Sequence, residues 1–534
     1  MKGMIVAPEP SAVEAGARVL REGGNAVDAA VTCAFVQGVL NPQMCGLGGY
    51  ALSLIQRSGV AAPELLDAPA LAGALTTPDL WVDRYIGLSP DGWGYFLKGK
   101  VNDAGYQSIC TPGTVRHLAT LLARHGTISW EQAIEPAARV VEQGFMVDTA
   151  LAARWKMRRR YPDACSLLDY ILANPEAQRI YLKDGRPYDE GEMISNPDYA
   201  RTLRHLAQHG ADDFYHGELA ERMSADLAAN GAFVTAADLA AYAAREDAPV
   251  TGSYRGLTIA TSQPPHGGPT LLAILDILEG YDLAAMQHNS PEYIYLVAMA
   301  MKAAFADRNP HLGDPQFGDV PLAWMISKQR AAYWRAQIDA GAPIVVSDTP
   351  TSAPDTTHVS VVDRDGTCVA LTHSLGSSSG VITPGLGFMY NNSMVNFNPL
   401  PGHRNSIAPR KGRSTGMAPT IVYCDGAPVL VVGAPGGSRI ITGVLQVILN
   451  VLEFGMSVAE AVLAPRFDCQ GDLIVCQGRI PEYVCEIVRQ RHPITRIPQS
   501  HGGLALVHAI SIDAVTGRRS GGADTGGGGM ALEV

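Results

Sequence analysis

The sequence predicts an α+β fold, in which helices and antiparallel strands occupy separate stretches of the chain. Residues 115–245 carry polar-faced helical patterns, which indicate a layer of helices. Two pairs of β-rich runs joined by short turns predict hairpins at 358–372 and 420–433. With 534 residues, 47% of them hydrophobic and 17% charged, the chain has the length and composition of a large globular protein.

The first elements predicted from the amino end are two helices and a strand. Ser11-Ala12-Val13-Glu14 matches a capping box, so an amphipathic helix is expected at about 11–22. Residues 27–40 are apolar nearly all round, which predicts a helix buried on most sides. The glycines of 46–49 then introduce a strand at 50–55, and they lack the full G-x-G-x-x-G context of a phosphate-binding turn.

The later elements are predicted from the same periodicities and from their flanking turn residues. Helices are expected at 115–124, 130–143, 198–227, 271–278, 291–307 and 439–452, and a strand at 257–262. Ser438 is a candidate N-cap for the helix at 439–452, and Ser457 with Glu460 forms a capping box for a further helix. Residues 342–355 are rich in proline, serine and threonine, which indicates an exposed linker.

Charge and cysteine content exclude several classes of protein. The net charge of −11 argues against general nucleic-acid binding and against an anionic membrane surface. The basic run at 154–160 is the exception, and it is interpreted as a solvated helical face. Nine cysteines without a C-x-x-C pair predict buried thiols and neither a disulfide framework nor a zinc cluster.

Patterns that the sequence lacks also bear on its localisation and on its cofactors. The first residues hold no apolar run typical of a signal peptide, and no stretch reaches the roughly 18 apolar residues of a spanning helix. We therefore expect a cytoplasmic protein, or a periplasmic or secreted one if a signal peptide was trimmed. His358, His373 and His403 follow no metal-ligand spacing, so neither a metal nor another cofactor is expected.

The first hairpin is preceded by two threonines, Thr356 and Thr357. A threonine hydroxyl is a poor nucleophile without a neighbouring base, and a threonine that begins a chain can use its own α-amine. A cut between Asp355 and Thr356 would create such a residue. It would release a C-terminal piece of 179 residues (534 − 355).

A second glycine-rich turn is a candidate site for a developing oxyanion. Gly436 and Gly437 follow the second hairpin and precede the helix at 439–452. Backbone N–H groups at a helix N-terminus stabilise negative charge. A plain strand-to-helix turn explains the same glycines, and the residues alone leave both interpretations open.

Two other nucleophiles find less support. Residues 376–380 match G-x-S-x-G, but that motif needs a following helix, and 381–385 contain Pro384 and Gly385 and predict none. A Cys–His pair lacks any local motif around a cysteine.

An ordered set of motifs resembles the γ-glutamyltranspeptidase family of N-terminal nucleophile hydrolases, over nearly the whole chain. The motifs are Gly24-Asn25-Ala26-Val27-Asp28-Ala29-Ala30, Gly46 to Gly49, Thr111-Pro112-Gly113-Thr114, Ala306-Asp307-Arg308, Leu312-Gly313-Asp314-Pro315, Thr356-Thr357-His358 and Gly433-Ala434-Pro435-Gly436-Gly437-Ser438-Arg439. The resemblance implies a four-layer αββα sandwich, made as an inactive precursor that cuts itself before the first threonine of T-T-H.

The resemblance divides the chain into a large subunit, 1–355, with the helical layers and part of the sheets, and a small catalytic subunit, 356–534. The two subunits would stay associated. It also implies that Thr356 is the nucleophile with its α-amine as base, that Gly436 and Gly437 form the oxyanion turn, and that Ser374 replaces a second threonine that hydrogen-bonds the nucleophile.

The departures from the family pattern lie in the pocket that holds the glutamyl group. Asp67-Ala68-Pro69-Ala70 lacks the family's arginine, and Thr415-Gly416 replaces a serine pair. Asn396 occupies the position of the family's aspartate, and Gly376 occupies the position of the family's asparagine. The loss of several charged or polar partners from a desolvated pocket argues for a different acyl group.

The stretch 397–417, where the family places a lid, looks short and basic. It contains Arg404, Arg410, Lys411 and Arg413. Some of these side chains, Arg413 among them, are expected to bind an anionic substrate, and a solvated basic loop is the alternative.

The sequence therefore predicts an autoprocessing threonine amidohydrolase that acts on a small acidic amide, of the oxamate type, through an acyl-enzyme. One alternative is γ-glutamyl hydrolysis or transfer, on glutathione-type substrates, through a rearranged pocket. Another is a non-catalytic binding protein of the same fold. Nucleic acid and membrane partners are not expected, and a dimer of the processed heterodimers is one assembly that the sequence leaves open.

Overall fold

Two antiparallel β-sheets packed face to face form the centre of the fold. The computed structural model describes residues 2–89, 94–157, 159, 161–347 and 356–534. The strands in chain order are β1 (Met4–Ala7), β2 (Tyr50–Gln56), β3 (Glu64–Ala68), β4 (Tyr85–Leu88), β5 (Tyr95–Leu97), β6 (Phe145–Met146), β7 (Leu182–Lys183), β8 (Arg186–Pro187), β9 (Met193–Ile194), β10 (Arg245–Asp247), β11 (Val250–Tyr254), β12 (Leu257–Thr261), β13 (Thr357–Val362), β14 (Cys368–Ser374), β15 (Thr420–Cys424), β16 (Ala427–Gly433), β17 (Phe467–Asp468), β18 (Ile474–Cys476), β19 (Ile494–Arg496), β20 (His508–Ile512), β21 (Arg519–Ala523) and β22 (Met530–Glu533).

Helices cover both outer faces of the sheets. In chain order they are α1 (Pro10–Arg21), α2 (Ala26–Leu40), α3 (Thr114–His125), α4 (Trp130–Gln143), α5 (Thr149–Trp155), α6 (Leu167–Leu172), α7 (Pro175–Tyr181), α8 (Pro197–His209), α9 (Asp213–His216), α10 (Glu218–Ala229), α11 (Ala236–Ala240), α12 (Gly268–Leu278), α13 (Pro291–His311), α14 (Leu322–Met325), α15 (Lys328–Asp339), α16 (Arg439–Leu452), α17 (Val458–Leu463) and α18 (Glu482–Arg489). Short 3-10 turns lie at Val82–Arg84, Lys98–Lys100, Tyr106–Ser108, Pro315–Phe317, Ser393–Asn396 and Thr525–Gly527.

The strand order places the first predicted hairpin in the middle of the larger sheet. The seven-stranded sheet runs β10-β3-β2-β14-β13-β1-β22, and the six-stranded sheet runs β11-β12-β15-β16-β20-β21. Each of β13 and β14 is therefore hydrogen-bonded on both edges, β13 to β1 and β14 to β2.

Three apolar clusters mark the three interfaces between four layers. On β14, Val369 and Leu371 face the helices around α2, whereas Ala370 faces the second sheet. This alternation follows from the two-residue period of a strand, and it buries both faces of the hairpin. A third cluster packs α12, α13 and α16 against the outer face of the second sheet. The αββα sandwich expected from the sequence is thus confirmed.

Both predicted subunits contribute strands to both sheets. In the larger sheet, β1, β2, β3 and β10 precede residue 356, and β13, β14 and β22 follow it. In the smaller sheet, β11 and β12 precede it and the other strands follow it. A cut before Thr356 would therefore leave the two pieces interleaved by strand pairing and by shared cores.

Three local predictions need correction. The capping box at Ser11 does not form, because Pro10 is the first helical residue and Glu9 is the N-cap without a side-chain cap. Ser438 occupies the N-cap position of α16 but makes no side-chain cap hydrogen bond, since its backbone is already helical. The predicted helix at 198–227 is divided into α8, α9 and α10, with breaks at Gly210 and Gly217.

The basic run and the linker lie partly outside the described residues. In the run, Arg154 on α5 is half-buried and donates to Asn41 Oδ1 at 2.9 Å, so this arginine does not belong to a solvated face. Residues 158 and 160 of the run, and 348–355 of the linker, are not among the described residues.

The cysteines are free thiols, and seven of the nine are buried. Over the parts of the chain that the structure describes, no helix has both the length and the apolar character needed to cross a bilayer. Within those same parts, no group of three or more His, Cys, Asp or Glu side chains is arranged to hold a metal ion.

Buried neutral histidines predict a loss of stability in acid. Burial lowers the pKa of His117 and of His373 to about 3 and that of His508 to about 4. Unfolded histidines bind protons below about pH 6.5, so the unfolded state holds more protons between about pH 3 and 6.5. The free energy of unfolding should therefore fall as the pH drops through this window, with a limiting slope of about 1.4 kcal/mol per pH unit for each histidine.

His117→Leu tests this expectation, because neither ring nitrogen of His117 has a hydrogen-bond partner among the described residues. Leucine leaves no buried polar atom unsatisfied, so the variant should be as stable as the wild type at pH 7.5. When the pH is lowered to 5, the free energy of unfolding should fall less in the variant than in the wild type. Urea unfolding midpoints at both pH values give the comparison. Equal pH dependence in the two proteins would contradict it.

Candidate active site

The hairpin of β13 and β14 brings Thr356 next to Ser374. Thr357 and His373 face each other in the strand register, so the residues that flank them meet at the open end of the hairpin. Thr356 Oγ1 donates a hydrogen bond to Ser374 Oγ at 3.1 Å. The N–H of Gly376 donates to the same Ser374 oxygen at 2.9 Å, which fixes the serine rotamer.

Thr356 is nearly buried, with 8% of its surface exposed. In the uncut chain its nitrogen is an amide and cannot act as a base, whereas a cut before it would create an amine beside the hydroxyl. Asp355, the other residue of the predicted scissile bond, lies outside the described residues.

The glycine turn between β16 and α16 adopts a conformation that only glycine accepts readily. Gly436 has φ 142° and Gly437 has φ 62°, both in the left-handed region. Across the described residues, neither glycine N–H donates a hydrogen bond to another residue. Two backbone donors at the start of a helix are thus available for an anion.

Gly416 packs directly on this turn. A Cβ on Gly416 would lie 2.1 Å from the carbonyl oxygen of Gly437, far inside van der Waals contact. The replacement of a family serine by Gly416 therefore has a steric consequence, because the backbone of 415–416 approaches the turn more closely than a side chain allows.

One small cavity gathers most of the predicted site residues. The residues that line it are Tyr50, Thr356, Gly376, Arg413, Thr415, Gly416, Met417, Gly437 and Ile440. Ser374 contacts the cavity through Thr356. No aspartate or glutamate is among the described residues that line it.

Arg413 places a cation in the wall of this cavity. The side chain is buried, its guanidinium lies 4.8 Å from the centre of the Tyr50 ring, and it donates to Tyr50 Oη and to the carbonyl of Ser414. Its Nε has no hydrogen-bond partner, and no carboxylate is in ion-pair distance among the described residues. A buried cation without a counter-charge favours a bound anion.

Thr415 is held by residues that the sequence analysis did not assign to the site. His266 Nδ1 lies 2.7 Å from Thr415 Oγ1, and His266 Nε2 lies 3.0 Å from Asp67 Oδ2. The buried Arg308 donates to the Thr415 carbonyl at 2.8 Å. Tyr50, Asp67 and His266 carry no local sequence signal for this site, and Asp67 only marks the stretch from which the family's arginine is missing.

Several predicted residues do not line the cavity. Asn396 is buried in the 3-10 turn Ser393–Asn396, where its carbonyl accepts from Asn405. Gly436 lies in the glycine turn behind Gly437. Arg410 instead pairs with Asp238 at 3.2 Å on the surface.

Lys411 is also directed away from the cavity. Lys411 donates to the carbonyl of Arg404 at 2.7 Å and to that of Ser406 at 3.0 Å. Of the four basic side chains predicted for this loop, Arg413 is therefore the one that lines the cavity.

Comparisons with known proteins agree with this geometry. The family model of gamma-glutamyltranspeptidase matches residues 12–534. The glutathione hydrolase proenzyme of Escherichia coli (strain K12) is 35% identical over 489 residues, which cover 88% of this chain and 81% of that protein. The acylase ACY 1 proenzyme of Pseudomonas sp. (strain V22) is 34% identical over 526 residues, which cover 95% of this chain and 89% of that protein.

Among solved structures, a cephalosporin acylase from Bacillus halodurans superposes with a TM-score of 0.88 at 26% identity, covering 99% of this chain and 95% of that one. The gamma-glutamyltranspeptidase of Helicobacter pylori gives 0.56 at 31% identity, covering 64% and 92%.

The αββα sandwich, with a threonine at the start of its central hairpin and a glycine turn across a small cavity, defines an N-terminal nucleophile hydrolase. The chain belongs to the gamma-glutamyltranspeptidase family. It is an enzyme of a family whose members hydrolyse amide bonds.

Gly416→Ala should disable the glycine turn. The added Cβ would push on the Gly437 carbonyl, and the loss of one oxyanion donor costs about 10²–10³ in kcat. Gly87→Ala is a matched control, because a Cβ at Gly87 meets no atom within 4 Å. Steady-state kinetics with any amide that the wild type hydrolyses would give kcat for both variants, and far-UV circular dichroism would verify that both are folded. Equal kcat in the two variants would count against the oxyanion role.

Proposed function

We propose that this protein is an autoprocessing threonine amidohydrolase that acts on small acidic amides of the oxamate type. The observation that carries the proposal is one cavity with Thr356 and Gly437 on its walls together with the buried cation of Arg413. The first two residues suit attack on an amide carbonyl, and the third suits a carboxylate on the same acyl group.

Before the first turnover, the peptide bond between Asp355 and Thr356 is hydrolysed by water in the self-cleavage step, which leaves a carboxylate on Asp355 and frees the α-amine of Thr356. That amine takes the hydroxyl proton as Thr356 Oγ1 bonds to the amide carbonyl carbon, and the N–H groups of the glycine turn hold the oxyanion. The C–N bond then breaks and the leaving amine receives the proton. Water attacks the resulting ester in the same way, which releases the acid and restores Thr356.

The alternative within the same family is γ-glutamyl hydrolysis or transfer, supported by the 35% identity to the Escherichia coli glutathione hydrolase proenzyme. A glutamyl group carries an α-ammonium as well as a carboxylate. None of the described cavity-lining residues is acidic, so the lining supplies a partner for the carboxylate and none of opposite charge for the ammonium. This difference favours an acyl group without an amine.

A non-catalytic binding protein is the remaining alternative. The hydroxyl contact of Thr356 with Ser374 and the two glycines of positive φ argue against it, because a binding site alone does not need them.

Self-cleavage can be detected on a denaturing gel. The wild type should give two bands whose masses sum to 56.6 kDa, and the smaller should begin with Thr356 by N-terminal sequencing. Thr356→Ala should give one band, whereas Thr367→Ala, in the turn of the same hairpin, should still be cut. A wild type that hydrolyses amides while it stays in one piece would refute the mechanism.

Arg413→Gln should weaken the binding of acidic substrates. The loss of one partner of a buried charge pair costs about 2–5 kcal/mol, so KM for oxamate or a glutaryl amide should rise by about 30-fold or more. KM for a neutral amide should change little. Arg410→Gln is the control, since Arg410 pairs with Asp238 outside the cavity.

A panel of oxamate, glutaryl and γ-glutamyl amides, with product analysis, separates the two catalytic proposals. If kcat/KM is highest for γ-glutamyl anilide, the glutamyl alternative is correct. If Arg413→Gln raises KM equally for neutral and acidic amides, Arg413 does not bind the acyl carboxylate.

A further inference from the structure

A buried amide on α2 joins the two strands immediately next to the catalytic pair. Gln37 Nε2 donates to Thr357 Oγ1 at 2.9 Å, and Gln37 Oε1 lies 3.0 Å from His373 Nε2. Thr357 and His373 are opposite each other in the register, one residue away from Thr356 and Ser374. The amide therefore sets the separation of the strands where the nucleophile meets its serine partner.

The orientation of the Gln37 amide group is fixed by the partners of both its oxygen and its nitrogen. Burial lowers the pKa of His373 to about 3, so the imidazole is neutral. Its Nε2–H donates to the amide oxygen, while its Nδ1 has no partner among the described residues. At the other end, Gln37 Nε2 also donates to Glu9 Oε2 at 3.1 Å.

Glu9 is held in an unusual state. It is buried, and its backbone has φ 60°, a left-handed conformation that residues other than glycine rarely adopt. Asn41 Nδ2 donates to its Oε1 at 2.6 Å, and Gln37 donates to its Oε2. Burial raises the pKa of Glu9 to about 7.

The charged and titratable groups around Glu9 come from α5, from α2 and from the loop that follows α2. Arg154 on α5 attracts the carboxylate and donates to Asn41 Oδ1 at 2.9 Å, whereas Asp148, the N-cap of α5, opposes the charge. The thiols of Cys33 on α2 and of Cys45 in the loop also interact with Glu9, and burial raises the pKa of both. The raised pKa keeps both thiols uncharged near neutral pH, whereas the pKa of Glu9 lies in that range.

A charged Glu9 accepts hydrogen bonds and cannot donate one, so it requires the amide nitrogen of Gln37 to face it. A protonated Glu9 carries an O–H that can donate to the amide oxygen, in competition with the Nε2–H of His373. The amide is then no longer restricted to one orientation, and its bonds to Thr357 and His373 are weakened.

We propose that Gln37 and Glu9 are positioning residues that hold Thr356 and Ser374 in contact, and that the charge on Glu9 controls this contact. The inference deepens the proposed function and rests on Thr356 as the nucleophile. It assigns a catalytic effect to two residues of the large predicted subunit that do not line the cavity.

Glu9→Gln, measured on the processed enzyme, tests the proposal. A permanently neutral side chain should behave as the protonated wild type does at every pH. The ratio of wild-type to variant kcat should be about tenfold at pH 8.5 and close to one at pH 6, with KM unchanged. A ratio that is the same at both pH values, or a change confined to KM, would overturn the proposal.

Gln446→Leu is the matched control for the loss of a buried amide. Gln446 on α16 donates to the carbonyls of Thr442 and Phe467 at 2.8 and 2.7 Å, away from the catalytic pair. It should lower the urea midpoint without changing the pH profile of kcat. Gln37→Leu should instead lower kcat at every pH and remove the dependence on Glu9, so that a second substitution of Glu9 adds nothing.

Crystal structures of the wild type and Glu9→Gln at pH 8.5 supply a readout that does not need turnover. The Thr356–Ser374 hydroxyl contact, 3.1 Å here, should persist in the wild type and lengthen in the variant. A wild type that hydrolyses no amide would refute the proposed function, and this distance would still decide the inference. An unchanged contact in the variant would overturn it.

Discussion

The pairing of β13 with β14 is the interaction on which the site depends. Thr356 and Ser374 touch because Thr357 and His373 are opposite in the register, and a slip by one residue would turn every side chain of a strand to the other face. That slip is prevented on both sides, since β1 pairs with β13 and β2 pairs with β14. Both faces of the hairpin are also covered by apolar layers. Thr356, the proposed nucleophile, is thus positioned by a hairpin that is paired on both edges and buried on both faces.

Burial then determines which groups near the hairpin carry charge. It keeps His373 neutral and raises the pKa of Glu9, while the described residues offer Arg413 no carboxylate partner. In a medium of low dielectric constant each of these states has large effects on its neighbours. The cavity is consequently suited to an anion, and the network behind Thr356 is suited to respond to a single proton.

Local sequence patterns predicted the parts of the structure that local rules govern. The alternation and the Asp-Gly turns located both hairpins, and the apolar run at 27–40 located α2 to within one residue. The glycines at 436 and 437 were singled out because they precede a predicted helix, and both have the positive φ that glycine accepts readily. The capping box at Ser11 failed, since Pro10 starts α1 and Glu9 takes the N-cap position.

The polar partners of the site could not be predicted in the same way. Tyr50 meets Arg413 across 363 residues, His266 meets Asp67 across 199, and Gln37 meets Thr357 across 320. A single side chain carries no signal for the distant residue that it will contact, because the sheet order decides those encounters. The motifs of the resemblance located Thr356 and Ser374, and the structure was needed to find what holds them.

The short chain segment from Arg413 to Gly416 links recognition to catalysis. Gly416 packs on the Gly437 carbonyl, so one end of the segment is tied to the glycine turn. Three residues span at most about 11 Å when extended, which limits the separation of the two backbone positions. Consistent with this limit, the Arg413 side chain and Gly437 line the same small cavity. A backbone displacement of this segment would therefore move both the attachment point of the cation and the contact with the glycine turn, which links the recognition of an anion to the geometry of the turn.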